Sequence, residues 1–298
     1  MEVFNKKDTL IRTICFMAFF VAINVICSFV AVYIPVLSVI LIIFLPLTSA
    51  VVEINCKDRW FPIYALATIG LSIVVSLSQI DFTVFYIVPS LFTGYIFGLF
   101  SKKNLPDIFA IFFASVIQAA LSFAFIPLIN LITGANLFDV IAKILRISDR
   151  FWFDTCIILA FFVIGLIQTI LSYVVVENEL KKLGSKNTLQ KDYSVFTSYS
   201  AVCSVILSII FSFFYLPLTY LFIGFSFFFF GFLIYYEFKH ENKIIIILDA
   251  CFCLITIFLY AFLYKYFTKA KDFILFTAVP LMSGIASIFH YFLKKSKQ

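Results

Sequence analysis

Apolar residues run through this chain in blocks of 17 to 25, separated by short polar stretches. A hydrocarbon layer about 30 Å thick is crossed by roughly 20 apolar residues in a helix. By that measure the pattern predicts ten spans: 10–33, 36–52, 61–78, 82–100, 108–132, 152–176, 195–214, 217–237, 244–264 and 273–293. The weakest is 36–52, which is short and contains Pro46. Tyr33-Ile34-Pro35, Ser78–Asp81 and Tyr215–Pro217 are tight enough to close helical hairpins. Pro35, Pro62, Pro106 and Pro217 fall near span ends, where proline costs little. Pro46, Pro89, Pro127 and Pro280 fall inside spans and are expected to kink them.

The longest polar interruption is Glu177–Ser194, ENELKKLGSKNTLQKDYS. It comes after six spans and before four, which divides the chain into a six-helix module (1–180), a basic linker (181–194) and a four-helix module (195–298). Glu177–Leu183 is expected to prolong the sixth helix, with Gly184 ending it as a C-cap. The fold class expected is an all-α polytopic membrane protein of about ten helices.

Charge sets an expected orientation. With ten spans and both termini inside, the inner segments hold Lys6, Lys7, Arg12, Lys57, Arg59, Lys102, Lys103, Lys181, Lys182, Lys186, Lys191, Lys239, Lys243, Lys294, Lys295 and Lys297. The outer segments hold only Lys143, Arg146, Arg150, Lys265, Lys269 and Lys271. That asymmetry is what the positive-inside rule expects, and an odd number of spans before residue 177 would destroy it. One outer segment, Leu137–Trp152, is amphipathic. Asp139, Lys143, Arg146 and Arg150 fall on one helical face, and Leu137, Ile141, Ile144 and Leu145 on another. Such a helix lies in the membrane interface, either as a plain connector or as a lid over an outward cavity.

Composition agrees with this picture. The 298 residues are 63% hydrophobic and 13% charged, against about 25% charged in soluble domains. The 42 phenylalanines, with abundant Ile, Tyr and Lys, fit an AT-rich coding bias better than an aromatic ligand cage. The net charge of +6 is scattered over separate loops, which argues against a nucleic-acid surface. Seven cysteines lie mostly in apolar runs without a CxxC pair, so buried free thiols are expected and no metal site. The basic start and the apolar run after it, about twenty residues long with no cleavage motif, read as a retained first membrane helix.

Few residues carry candidate chemistry. Ala18-Phe-Phe-Val-Ala22 is a small-xxx-small pattern that lets another helix approach closely. Asn24 and Ser28 are one turn apart and about 200° around the helix from Ala22. Ser115, Gln118 and Ser122 share a face of the fifth span, while Ser72, Ser76, Gln79 and Asp81 follow the third. Asn24, Ser28, Ser76, Asp81, Gln118 and Ser122 are therefore candidates for one outward-open solute pocket, or for interhelical hydrogen bonds alone. Asp249 and His290 stand near the inner surface, as a mutual pair, a relay or snorkelling groups, and Glu53 reads as solvated. There is no GxxxxGK[ST], HExxH or GxSxG, and no nucleophile–base constellation, so neither an ATPase nor an enzyme is expected, and no cofactor.

Spans one to six resemble the substrate-binding (S) subunits of energy-coupling-factor transporters. The resemblance rests on the six-helix module and on Ala18-xxx-Ala22 in its first helix. The chain as a whole resembles the YybS-like bacterial membrane proteins through Thr9–Asn24, Phe44-Leu-Pro-Leu-Thr48 and the basic Tyr173–Gly184 segment, over about 1–185. The resemblance implies a multi-pass protein of the bacterial plasma membrane whose Ala18 and Ala22 face a transmembrane coupling subunit. It implies separate ATPase subunits and capture of a small, vitamin-like solute from outside. The four extra helices depart from the S-subunit pattern and could cover the alanine face. The alternative is a membrane protein that does not transport, with a structural, assembly or regulatory role.

Overall fold

Unbroken apolar runs fold as helices because, in lipid, every backbone N–H and C=O needs a partner within its own segment. The structure, a computed structural model, describes residues 10–76, 86–134, 136–144, 150–182, 193–239, 247, 249–256, 258 and 277–295. Its elements are α1 (Leu10–Tyr33), α2 (Pro35–Asn55), a 3-10 turn (Asp58–Trp60), α3 (Phe61–Val75), α4 (Val88–Lys102), α5 (Asp107–Thr133), α6 (Leu137–Ile144), α7 (Arg150–Lys182), α8 (Ser194–Phe211), α9 (Leu216–Lys239) and α10 (Ala278–Lys295). Residues 249–256 are also helical. No strand occurs among the described residues. Among the described residues six helices are long and apolar enough to cross a membrane: α1, α3 with the turn before it, α5, α7, α8 and α9. The chain is a helical membrane protein.

Several boundaries have simple causes. Ile34 alone separates α1 from α2, whose first turn opens on Pro35. Proline there lacks an N–H that would have no helical partner in any case. The span expected at 36–52 is the 21-residue α2, which keeps Pro46 inside it. Pro127 likewise lies inside α5. Pro89 is the second residue of α4, which directly follows the helical residues 86–87, and Pro280 is the third of α10; the starts of the two expected spans, 82–85 and 273–276, lie outside the described residues. Helix α5 ends on Gly134 at φ +70, a left-handed C-cap that glycine adopts without strain. The first part of the amphipathic stretch forms α6, with Asn130 Oδ1 accepting from Leu137 N at 2.9 Å, and residues 145–149 lie outside the described residues. Phe138 packs on Phe123 of α5, with ring centroids 5.9 Å apart.

The chain forms two compact units, Met1–Ser148 with Phe161–Gln190, and Asp149–Ala160 with Lys191–Gln298. In the first, α1 packs on α2 and α3, α2 on α4, and α4 on α5. The α2–α4 seam is the closest. A Cβ on Gly94 would stand 2.2 Å from the Pro46 carbonyl oxygen and 2.6 Å from Ser49 Cβ. One on Gly98 would stand 2.7 Å from Glu53 Cβ and 2.8 Å from the Ala50 oxygen. Gly94-Tyr-Ile-Phe-Gly98 is thus a second small-xxx-small seam, and one the apolar pattern did not single out. In the second unit, α8, α9 and α10 pack against one another. There α8 buries Thr197, Ser198, Ala201, Ser204, Val205 and Ser208, a stripe of small residues.

Candidate functional site

Helix α1 presents two different faces in the first unit. Its buried stripe is Thr13, Met17, Val21, Asn24, Ser28, Ala31 and Val32, at the three- and four-residue spacing of one helical side. Ala18 and Ala22 lie off that stripe and are exposed. Across from them, α3 buries Phe61, Tyr64, Thr68 and Ser72, and leaves Ala67 exposed. Between the two helices runs a groove of about 680 Å³, lined by the buried Met17, Val21 and Tyr64 and by the exposed Ala18, Ala22 and Ala67. Its wall is almost wholly apolar. The methyl side chains are what make it deep, since larger residues at those three positions would fill it.

Asn24 belongs to a closed polar ring inside the same three helices. Its Nδ2 donates to the Tyr64 hydroxyl at 2.6 Å, which donates to Thr48 Oγ1 at 3.4 Å, and Thr48 in turn donates to Asn24 Oδ1 at 2.9 Å. Each residue is buried, and the single Thr48 hydroxyl hydrogen is shared between Asn24 Oδ1 and the Leu45 carbonyl, 2.8 Å away. Such cross-helix bonds average about 0.6 kcal/mol and reach about 1.7. Asn24→Ala opens the ring and is expected to lower stability by about 1 kcal/mol, read as a fall in melting temperature of the detergent-purified protein. Asn24→Asp, which keeps an acceptor for Thr48 but has no amide donor for Tyr64, is expected to be at least as damaging.

Gln118 takes part in a separate set. Its Nε2 donates to Gln168 Oε1, and Thr169 Oγ1 donates to Gln118 Oε1 at 3.2 Å, so α5 is tied to α7. Gly165 permits that approach: a Cβ there would lie 3.3 Å from the Ser115 oxygen and 3.6 Å from Gln118 Cβ. Ser28 is buried with its hydroxyl unpartnered. Ser76 is buried and donates to Ser72 O at 2.7 Å. Ser122 is half-buried. Asp81 lies outside the described residues. Two of the six candidates thus fall in separate hydrogen-bonded sets, Asn24 with Thr48 and Tyr64, and Gln118 with Gln168 and Thr169. No hydrogen bond among the described residues links one set to the other. Thr48, Tyr64, Gln168 and Thr169 were not singled out from sequence, although polar side chains within apolar spans are the signal that marks them.

At the end of α2, Glu53 is buried rather than solvated, which corrects the sequence expectation. Lys102 Nζ donates to Glu53 Oε1 at 3.3 Å, to the Glu53 carbonyl at 3.2 Å, to the Cys56 carbonyl at 3.0 Å and to Asp58 Oδ1. A lysine at the C-terminus of a helix answers both the orphan carbonyls and the negative end of the macrodipole. In the water-facing turn, the hydrogen bond from Lys102 holds Asp58 below the usual carboxylate range. The contact also joins the turn after α2 to the end of α4. Asp249 is buried and faces Glu237, whereas His290 is exposed, so Asp249 pairs with a carboxyl and not with the histidine.

Among the described residues no group of three or more His, Cys, Asp or Glu side chains could hold a metal ion, and the seven cysteines are free. No family model, curated protein or solved structure matches this chain.

Proposed function

We propose that this protein is the solute-binding membrane subunit of an uptake system in the bacterial plasma membrane, a ten-span chain with both termini cytoplasmic. In this reading it captures a small, vitamin-like solute from outside. It docks on a transmembrane coupling subunit whose energy comes from separate ATPase subunits, since the chain has no phosphate-binding loop of its own. The observation that carries the reading is the groove between α1 and α3, lined in part by Ala18, Ala22 and Ala67. Helices associate in lipid through close backbone approach, which small residues allow. A groove of alanines on a first helix whose opposite side is polar fits a partner helix. It is also what the resemblance to S subunits implies for Ala18 and Ala22.

One observation favours the alternative, an integral membrane protein with a structural, assembly or regulatory role. Asn24 and Gln118 spend their polar atoms on Tyr64, Thr48, Gln168 and Thr169. A solute would have to displace those bonds or use groups beyond them.

A thermal-shift panel of water-soluble vitamins separates the two readings. The uptake reading expects one compound to raise the melting temperature, with that rise lost in Gln118→Ala or Asn24→Ala when each variant is compared with its own ligand-free state. A flat response across the panel sinks the solute claim.

A further inference from the structure

The second unit buries two carboxyl groups that the reading above does not use. Glu237, near the end of α9, is 2% exposed, and Asp249, in the helical segment 249–256, is 3% exposed. The two side chains face each other. Helix α10 brings Ser287 toward Glu237 and Ser283 toward Asp249. These serines are one helical turn apart, which places both hydroxyls on one side of α10. The serines approach the acids without reaching hydrogen-bond geometry: among the described residues neither the four carboxyl oxygens nor the fully buried Ser283 hydroxyl has a hydrogen-bond partner.

No described positive group answers this charge. Helix α8, which packs on both α9 and α10, contributes no charged residue. From 249–256 the remaining titratable neighbour is Cys253, which experiences the Asp249 charge, and from α10 the one described titratable group near it, His290, is exposed. The side chains of Lys239, Lys294 and Lys295 lie outside those described. Two ionised carboxylates in contact, away from water, repel and forfeit hydration together, so the pair is not stable as two bare anions. Intramembrane acids of this kind pair with a cation or share a proton.

We infer that Glu237, Asp249, Ser283 and Ser287 form a binding site for one small monovalent cation, a proton or a sodium ion, held between the two carboxyl groups. Both occupants supply the same chemistry, one positive charge on a carboxylate pair. The hydroxyl of Ser283 is an oxygen ligand for sodium, or a donor to the oxygen that a shared proton leaves free. An all-oxygen donor set of carboxyl and hydroxyl groups suits a hard cation better than a soft one.

The test uses the full-length protein in detergent. One arm titrates sodium against choline at constant ionic strength and follows the melting temperature. The other records the infrared carbonyl band of a protonated carboxylic acid at neutral pH in choline. Sodium-specific stabilisation assigns sodium, and the protonated band without it assigns a proton. In either case the signal is expected to disappear in Glu237→Gln/Asp249→Asn. In the sodium case, Ser283→Ala, which leaves both carboxyls in place, is expected to raise the half-saturating sodium concentration severalfold. In the proton case it shifts the band. Should the double variant fail to fold, Glu237→Gln alone and Ser283→Ala carry the comparison. The inference is overturned by the absence of both signals, by signals unchanged in the variants, or by stabilisation that only a divalent cation provides.

Discussion

Replacing Gly94 by alanine is expected to cost about 3 kcal/mol or more, at or beyond the upper end of ordinary overpacking. The added Cβ would stand 2.2 Å from the Pro46 carbonyl oxygen and 2.6 Å from Ser49 Cβ. A backbone oxygen and a Cβ cannot rotate out of the way, so α2 and α4 must separate along their whole seam. Gly98→Ala meets Glu53 Cβ at 2.7 Å and the Ala50 oxygen at 2.8 Å, and is expected to be nearly as damaging. Gly70→Ala is the internal control, because nothing stands within 4 Å of its Cβ position. In a helix interior that change is expected to be neutral or to stabilise by up to about 1 kcal/mol. Melting temperatures of the three detergent-purified variants check the order. A Gly94→Ala protein that melts with the native one would mean that α2 and α4 are not in backbone contact.

The second large effect is expected at Lys102. Its ammonium group serves the Glu53 carboxylate, two carbonyls at the end of α2, and Asp58. Lys102→Met strands a buried carboxylate and uncaps the helix. Breaking a buried pair by removing one partner costs about 3–5 kcal/mol. Lys102 keeps part of its surface in water, so about 2–3 kcal/mol is expected here. Adding Glu53→Gln removes the stranded charge, and the double variant is expected to recover more than half of the loss. Acid weakens the native arrangement in a defined way. Asp58 has its pKa depressed by Lys102, so its contribution is present above the ordinary carboxylate range and is lost as pH falls through the depressed value. The gap between native protein and Lys102→Met is therefore expected to narrow in acid. A gap that widens there would mean that the carboxylates are not what Lys102 holds.

Helix positions were legible from sequence wherever a long apolar run met a clear stop. The limits of α1 coincide with the expected 10–33, and α2 and α5 extend their expected spans by a few residues. What could not be read was which polar side chain meets which. Periodicity puts Asn24 and Ser28 on one face of α1, but it does not say that Thr48 and Tyr64 come from α2 and α3 to meet Asn24. Glu53 reads as solvated from sequence because it stands at the end of the second expected span, 36–52. Its partner, Lys102, is 49 residues away, and only packing of α2 on α4 brings them together. The Gly94–Gly98 seam carried a readable signal in its spacing, whereas the groove needed the relative rotation of α1 and α3. Sequence position near the inner ends of two spans suggests a pair, a relay or snorkelling groups for Asp249 and His290, and does not reveal Glu237 as the group that Asp249 faces. The rotation of α10 turns its serines toward the acids and the histidine outward.

The central claim is that the alanine groove receives a helix of a coupling subunit. A photo-crosslinking residue placed at Ala22 in otherwise native protein, activated in intact membranes, tests it most directly. Leu131, 84% exposed on α5, is the control position. The account predicts one protein adduct from Ala22 and none from Leu131. That adduct should contain a polytopic membrane protein which itself binds ATPase subunits, and it should vanish when Ala18→Phe fills the groove. Lipid adducts alone from both positions, with no protein partner at Ala22, would contradict it.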